Sequence, residues 1–262
     1  MISIEKQLLF LLSHVPQIET HELISIYMAR SYSPQHIRNT LSKMKKAGYI
    51  TSPTRSTYSI TDIGLVCLNS VNHKPIKHRA EWANTWYIVM LEIPETNRKM
   101  RDLFRSDLIR LGFGMLYNSV YISPWDYAQE VSDLATNYQI HDNITIVRGN
   151  FLVNPISPKE AEKLWQLDKI IHLYNEKMSW FNQEFLPSVQ SLPGSASPLD
   201  IFVHYLYLGE QLSELFIADP ILPLPLLPED WPGETVRDEM GKMIHYLSSK
   251  IPNESYYSQF VR

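Results

Sequence analysis

Apolar residues recur at helical spacing from the start of the chain. Leu8, Leu9, Leu11 and Leu12 fall within Ile4 to His14, and Leu23, Ile24 and Tyr27 within His21 to Met28, which predicts two short helices. A third is predicted from Ser33, whose hydroxyl can cap free backbone N–H groups, with Pro34 suited to the first helical position because its missing donor is not needed there. Gly48 stops this helix. Within it Ile37, Leu41 and Met44 lie at i, i+4 and i+7 and face a core, so Gln35, His36, Arg38, Asn39, Ser42, Lys43, Lys45 and Lys46 point outward. Tyr49 to Ser52 and Thr57 to Thr61 then read as two strands around a tip at Pro53 to Ser56. Three helices followed by a hairpin is the order of a winged helix-turn-helix.

Asp62 to Asn69 reads as one more helical stretch, and the polar run Asn72 to Arg79 as a connector. Trp86 to Ile93 is a continuous apolar strand, followed by a helix over Asn97 to Leu111 with Met100, Phe104, Leu108 and Leu111 on one face. Gly112-Phe-Gly114 breaks it. Strands near Met115 to Tyr117 and Ser119 to Ser123, a helix near Ala128 to Thr136 and a strand over Asn143 to Arg148 complete a β-α-β-β-α-β order, which is ferredoxin-like. Helices are expected over Ala161 to Asn175, Tyr174 to Phe185, Leu199 to Phe216 and Glu234 to Leu247, with the proline-rich stretch Pro220 to Pro232 extended over the last of them. The fold class is therefore α+β, with a winged helix-turn-helix over residues 1–76, a ferredoxin-like domain over 80–155 and a helical domain over 156–262.

Charge sharpens this division. The first 80 residues carry ten Lys and Arg against four Asp and Glu, whereas the remaining 182 carry fourteen against twenty-four. A basic end that also presents a donor-rich helix points to DNA. With 44% hydrophobic and 20% charged residues, 15 Tyr and 6 Trp, the composition is that of a folded chain. The single cysteine, Cys67, excludes an intrachain disulfide. No leader-like start and no apolar segment near the roughly 18 residues that span a bilayer are found, so a cytoplasmic protein without a membrane partner is expected.

Three separated segments carry a family resemblance. Ile37 to Ile50 is similar to the recognition helix and exit strand of the phenylacetic acid degradation regulator family of bacterial transcriptional repressors, the PaaX type. Trp86 to Ile93 together with Gly112 to Pro124 resembles that family's middle domain. Asp219-Pro-Ile-Leu-Pro-Leu-Pro-Leu-Leu-Pro-Glu-Asp-Trp-Pro-Gly233 resembles its C-terminal signature. The resemblance implies a homodimeric repressor that binds double-stranded operator DNA and is released by an acyl-CoA effector, phenylacetyl-CoA in the best-known members. Two departures stand out: the family tends to carry a His and an Arg where this chain reads Glu210-Gln-Leu-Ser213, and the hairpin tip has Arg55 as its only charge.

A helix in a major groove would let Gln35, Arg38, Asn39 or Ser42 reach base edges, while Lys43, Lys45, Lys46 and Arg55 meet phosphates. Exposed helix faces are also commonly basic for solvation alone, and His36 can simply help begin the helix. For the effector, Trp86 and Tyr117 with Arg98, Arg101 and Arg105 offer aromatic and cationic groups that suit an acyl chain and a phosphorylated tail. Strand aromatics are more often core, and Arg101 and Arg105 at i, i+4 more often a solvated face. No catalytic or metal-ligand spacing is present, so neither an enzyme nor a cofactor is expected. The rival reading is a metal-dependent nuclease, because the middle domain also resembles small CRISPR-associated nucleases in which an Asp ends the first strand; Glu92 stands near that place.

Overall fold

A computed structural model describes residues 3–69 and 81–261; the expected connector Asn72 to Arg79, and with it the expected boundary between the first two domains, lies outside them. The chain is α+β. Its first elements are α1 (Ile4–His14), β1 (Ile18–Glu19), α2 (Thr20–Met28), α3 (Pro34–Lys46), β2 (Ile50–Thr51), β3 (Thr57–Ile60) and α4 (Asp62–Asn69). β3 pairs antiparallel with both β2 and β1, Ile50 opposite Ile60 and Ile18 opposite Tyr58. β1 is absent from the sequence reading because two residues are too few to display a period.

A second antiparallel sheet is built from β4 (Trp86–Leu91), β5 (Gly114–Tyr117), β6 (Val120–Ser123) and β7 (Ile144–Gly149), in the spatial order β5-β6-β4-β7. α5 (Arg98–Leu111) links β4 to β5, and α6 (Ala128–Asn137) links β6 to β7. Helices follow: α7 (Pro158–Trp165), α8 (Leu167–Trp180), a π turn over Phe181–Phe185, α9 (Leu186–Gln190), α10 (Pro198–Ala218) and α11 (Gly233–Lys250). α7 opens with a reciprocal cap, Ser157 with Glu160. The single helix expected over Ala161 to Asn175 is instead two, divided at Gln166, whose backbone is left-handed at φ 51°. Gln is an ordinary helix former, so nothing local announces that break.

The chain forms two compact units, and the helical segment after residue 156 is divided between them. The first gathers the N-terminal described stretch, Asn175–Glu214 and the chain from Gly233 onward; the second gathers the described residues up to Tyr174 with Leu215–Pro232.

In the first unit Leu8, Leu12, Ile26, Ile37 and Leu41 share one core with Phe202 and Leu206 of α10 and with Ile251 and Phe260. Burying side chains of this size stabilises by roughly 1.5–3 kcal/mol each. A charge pair is enclosed in this unit: Arg30 Nη2 meets Glu210 Oε1 at 2.5 Å, the two side chains being 7% and 10% exposed. Arg30 also donates through Nη1 to Gln7 Oε1 at 2.9 Å, and its guanidinium lies over the rings of Tyr27 and Tyr32. Burial pushes the Glu210 carboxyl above the usual carboxylate range, with Arg30 opposing the rise. On the next turn Lys177 Nζ donates to Gln211 Oε1 and Glu214 Oε2 at 2.7 and 2.8 Å.

The second unit packs Val89, Phe104, Leu108, Phe113, Tyr121 and Val131 between its sheet and α5 and α6. The Gly112-Phe-Gly114 break has two separate causes. Gly112 ends α5 at φ 104°, with the carbonyl oxygen of Pro220 2.9 Å from where a Cβ would stand, and Gly114 lies under the Trp165 indole, whose nearest ring atom would be 2.7 Å from an added Cβ. Trp165 Nε1 donates to the Gly112 carbonyl at 2.9 Å. The proline-rich stretch, expected over the last helix, belongs with this unit instead. Its anchor is Asp219, 1% exposed, which accepts from the Tyr174 hydroxyl at 2.6 Å and from the Ile221 N–H at 2.7 Å. Trp125 Nε1 then holds the Ile221 carbonyl at 2.5 Å, and the Trp231 ring stands edge-on to Tyr174.

Removing one member of a buried ion pair strands the other. Arg30→Met should destabilise the first unit by about 3–5 kcal/mol, and the double change Arg30→Met with Glu210→Leu should recover much of that loss. Urea unfolding followed by circular dichroism reads both; a double variant no more stable than Arg30→Met would show that the geometry of the pair, not the stranded charge, sets the cost.

Candidate nucleic-acid interface

α3 is positioned from both sides. Ser33 Oγ accepts the His36 N–H at 3.2 Å, and Ile37, Thr40, Leu41 and Met44 are buried, Thr40 returning its hydroxyl to the His36 carbonyl at 2.9 Å. All eight outward residues, Gln35, His36, Arg38, Asn39, Ser42, Lys43, Lys45 and Lys46, are exposed. Gln35 Nε2 donates to Asn39 Oδ1 at 2.9 Å, which turns the Asn39 amide nitrogen outward as a free donor. The His36 ring is stacked on Tyr32 at 5.8 Å, an attachment that serves the helix start.

Lys43, Lys45 and Lys46 stand in the last turn, where the helix dipole favours cations. That effect accounts for their stability, not for the lack of counter-ions: among the described residues none of Arg38, Lys43, Lys45, Lys46 or Arg55 has an acidic partner. Arg55 is at the exposed tip between β2 and β3. This tip is fixed by the hydroxyls of Thr54 and Thr57, 2.7 Å apart, and by Ser56 at φ 64°, whose carbonyl accepts from the N–H and hydroxyl of Thr20. Chemically, the face combines fixed donors with uncompensated positive charge.

The five residues singled out for an effector do not converge. Trp86 is 4% exposed, edge-on to Trp82 and stacked on Trp165, while Tyr117 is 69% exposed. Arg98 lies near Glu95 and Asp102, and Arg101 Nη1 donates to Glu95 at 2.8 Å. Arg105 alone lines a cleft of about 530 Å³ in the second unit, with Tyr121, Lys163 and Gln166 among its neighbours. Tyr121 lies on β6, and Lys163 and Gln166 stand at the end of α7, so no local spacing links them to Arg105. Glu92 is exposed at the end of β4, tied through its backbone to Asn143, and among the described residues no three His, Cys, Asp or Glu side chains gather to hold a metal. Nor is any described helix long and apolar enough to cross a membrane.

Comparison with known proteins bears on both units. Residues 79–163 match the model of the PaaX protein central Cas2-like domain, and residues 165–252 that of the PaaX-like protein C-terminal domain. The transcriptional repressor PaaX of Escherichia coli is 26% identical over 226 residues, a match that covers 82% of this chain and 69% of that protein. Among solved structures an uncharacterized protein from Mycobacterium tuberculosis aligns with a TM-score of 0.58 over 92% of this chain and 93% of its own, and at 18% identity that likeness concerns the fold alone.

Because the cations of α3 are exposed and make no ion pairs, Arg38→Ala, Lys43→Ala and Lys46→Ala should each change stability by no more than about 0.5 kcal/mol. Thermal unfolding measures this directly; a large loss in any of them would assign that residue to the fold.

Proposed function

Since the chain belongs to the PaaX-type family of phenylacetic acid degradation regulators, we propose that it is a sequence-specific DNA-binding transcriptional regulator, a repressor of an aromatic-acid or related catabolic operon. The observation that carries this reading is the exposed face of α3, where five cations without acidic partners on the helix and the adjoining tip accompany fixed amide donors. In this reading residues up to Ile60 act as a winged helix, and α3 enters the major groove. Arg38, Asn39, Gln35 and Ser42 read base edges, while Lys43, Lys45, Lys46 and Arg55 neutralise phosphates. The weakly charged tip makes the hairpin a minor contributor to affinity.

The protein acts as a homodimer, two copies of α3 reaching successive major grooves with half-site centres about one helical turn, or a multiple of it, apart. The β-α-β-β-α-β portion serves as a ferredoxin-like platform for dimerisation or ligand sensing. An aryl-acyl-CoA such as phenylacetyl-CoA releases the repressor by binding more tightly to an arrangement in which the two recognition helices no longer match the half-sites. Where the family resemblance implies a His and an Arg, this chain reads Glu210-Gln-Leu-Ser213, and Glu210 takes its cation from Arg30 and Glu214 from Lys177. These charges are therefore spent on packing, and the effector's anionic groups are met elsewhere.

Fluorescence-anisotropy titration on the DNA upstream of the protein's own gene tests both halves. Specific binding that falls steeply with salt and is released by phenylacetyl-CoA is expected; specific binding indifferent to the thioester would remove that effector, and no sequence preference at any salt would remove the regulator. Arg38→Ala and Asn39→Ala should weaken operator binding by about 1–3 kcal/mol with little effect on random DNA, whereas Lys45→Ala should weaken both alike. A uniform loss for all three would take Arg38 and Asn39 out of base reading.

A further inference from the structure

Arg30 joins separate stretches of the first unit at one guanidinium. Nη2 meets Glu210 of α10 at 2.5 Å and Nη1 donates to Gln7 of α1 at 2.9 Å. The planar group lies over the rings of Tyr27, in α2, and Tyr32, in the turn that leads to α3, at 5.5 and 6.0 Å from their centres. Those two rings stand edge to face with centroids 5.8 Å apart, and Tyr32 is in turn stacked on His36 in the first turn of α3. Glu210, Arg30, Tyr32 and His36 thus form one line of contacts from α10 to the start of α3.

The turn between α2 and α3 has a single defined shape. Ser31 is left-handed at φ 65°, and the N–H groups of Arg30 and Tyr32 both donate to the Tyr27 carbonyl, at 3.1 and 2.9 Å. A left-handed residue with a Cβ persists where its surroundings over-determine it, and here Arg30 and Tyr32 flank it on both sides. Enclosed charges are a poor source of stability, since apolar side chains of similar volume often do as well or better. What a guanidinium supplies is direction: its rigid fork bonds two partners at fixed angles while aromatic rings hold its faces. Reading a base edge needs that direction, because hydrogen bonds weaken steeply once distance or angle leaves a narrow range. Phosphate contacts made by long, exposed lysines carry no such demand.

We propose that Arg30, held by Glu210, and Tyr32 are positioning residues for base reading: they set the angle at which α3 presents Arg38 and Asn39, so that the enclosed ion pair serves discrimination between DNA sequences. The inference rests on the reading of α3 as a recognition helix and goes beyond it, placing a determinant of selectivity on side chains outside the exposed face.

Fluorescence anisotropy on the DNA upstream of the protein's own gene and on random DNA of equal length, with urea unfolding alongside, tests it in three variants. These are Arg30→Met combined with Glu210→Leu, Tyr32→Leu, and Tyr32→Phe. The double variant and Tyr32→Leu should bind random DNA within about twofold of wild type, because the cations of α3 are untouched, and should lose about tenfold on the upstream DNA. Tyr32→Phe keeps the ring and should keep wild-type discrimination. A double variant that regains stability without regaining discrimination is a result that a purely structural role does not produce. Wild-type discrimination in Tyr32→Leu or in the double variant, or a parallel loss on both DNAs, would overturn the positioning role; should the double variant not fold, Tyr32→Leu against Tyr32→Phe decides alone. Wild-type protein without sequence preference would remove the recognition-helix reading and this inference with it, whereas preference present in wild type and kept in the variants would remove this inference only.

Discussion

The buried pair of Arg30 and Glu210 is the constraint around which the first unit is organised. Enclosing two charges costs several kcal/mol per ion, and the arrangement holds only because Arg30 has Gln7 and two aromatic rings as further neighbours, so that little of its charge goes unanswered. Arg30 lies just beyond the end of α2, one short turn ahead of α3. The residue that sets α2 against α10 therefore also sets where α3 begins. Phe202, Leu206, Ile251 and Phe260 complete the same core, so the N-terminal helices bury their apolar faces with help from the far end of the chain.

The second unit is closed at Asp219. Its buried carboxylate accepts from the Tyr174 hydroxyl and the Ile221 N–H. That arrangement turns the chain sharply enough for Ile221 to take a left-handed backbone at φ 56°, a conformation costly for a β-branched residue. Trp125 and Trp165 then use their indole N–H groups to hold the carbonyls of Ile221 and Gly112. Pro220 fits against Gly112 because no Cβ intervenes there. The prolines of the segment from Asp219 to Pro232 remove part of its backbone N–H groups, and side chains help to hold it.

These two units treat their surface charges differently. In the first, acids and bases inside the helical packing are matched, while the cations of α3 are left unmatched. In the second, Arg98 and Arg101 are matched to Glu95 and Asp102, and Arg105 stands beside the Tyr121 phenol without an ion pair among the described residues. Uncompensated charge in a chain of net charge −4 marks the places where a partner of opposite sign has something to gain.

How much of this was legible beforehand depends on the distance over which each feature is decided. The capped start of α3, its buried face of Ile37, Leu41 and Met44, the apolar strand from Trp86 and the break at Gly112 were readable because periodicity, capping and glycine act within a few residues. Basic charge confined to the N-terminal end was likewise a property of composition. The sequence by itself determined the exposed donors of α3 and the kinds and order of the elements apart from β1 and the helix break at Gln166. Only the tertiary structure decided that Glu210 would find its cation in Arg30, that Asp219 would draw the proline-rich stretch into the second unit, and that Arg105 would meet Tyr121 while Trp86, Arg98, Arg101 and Tyr117 went elsewhere. Those outcomes depend on which buried polar groups can satisfy one another once the apolar faces have packed, and such pairings span tens to hundreds of residues that no local pattern records.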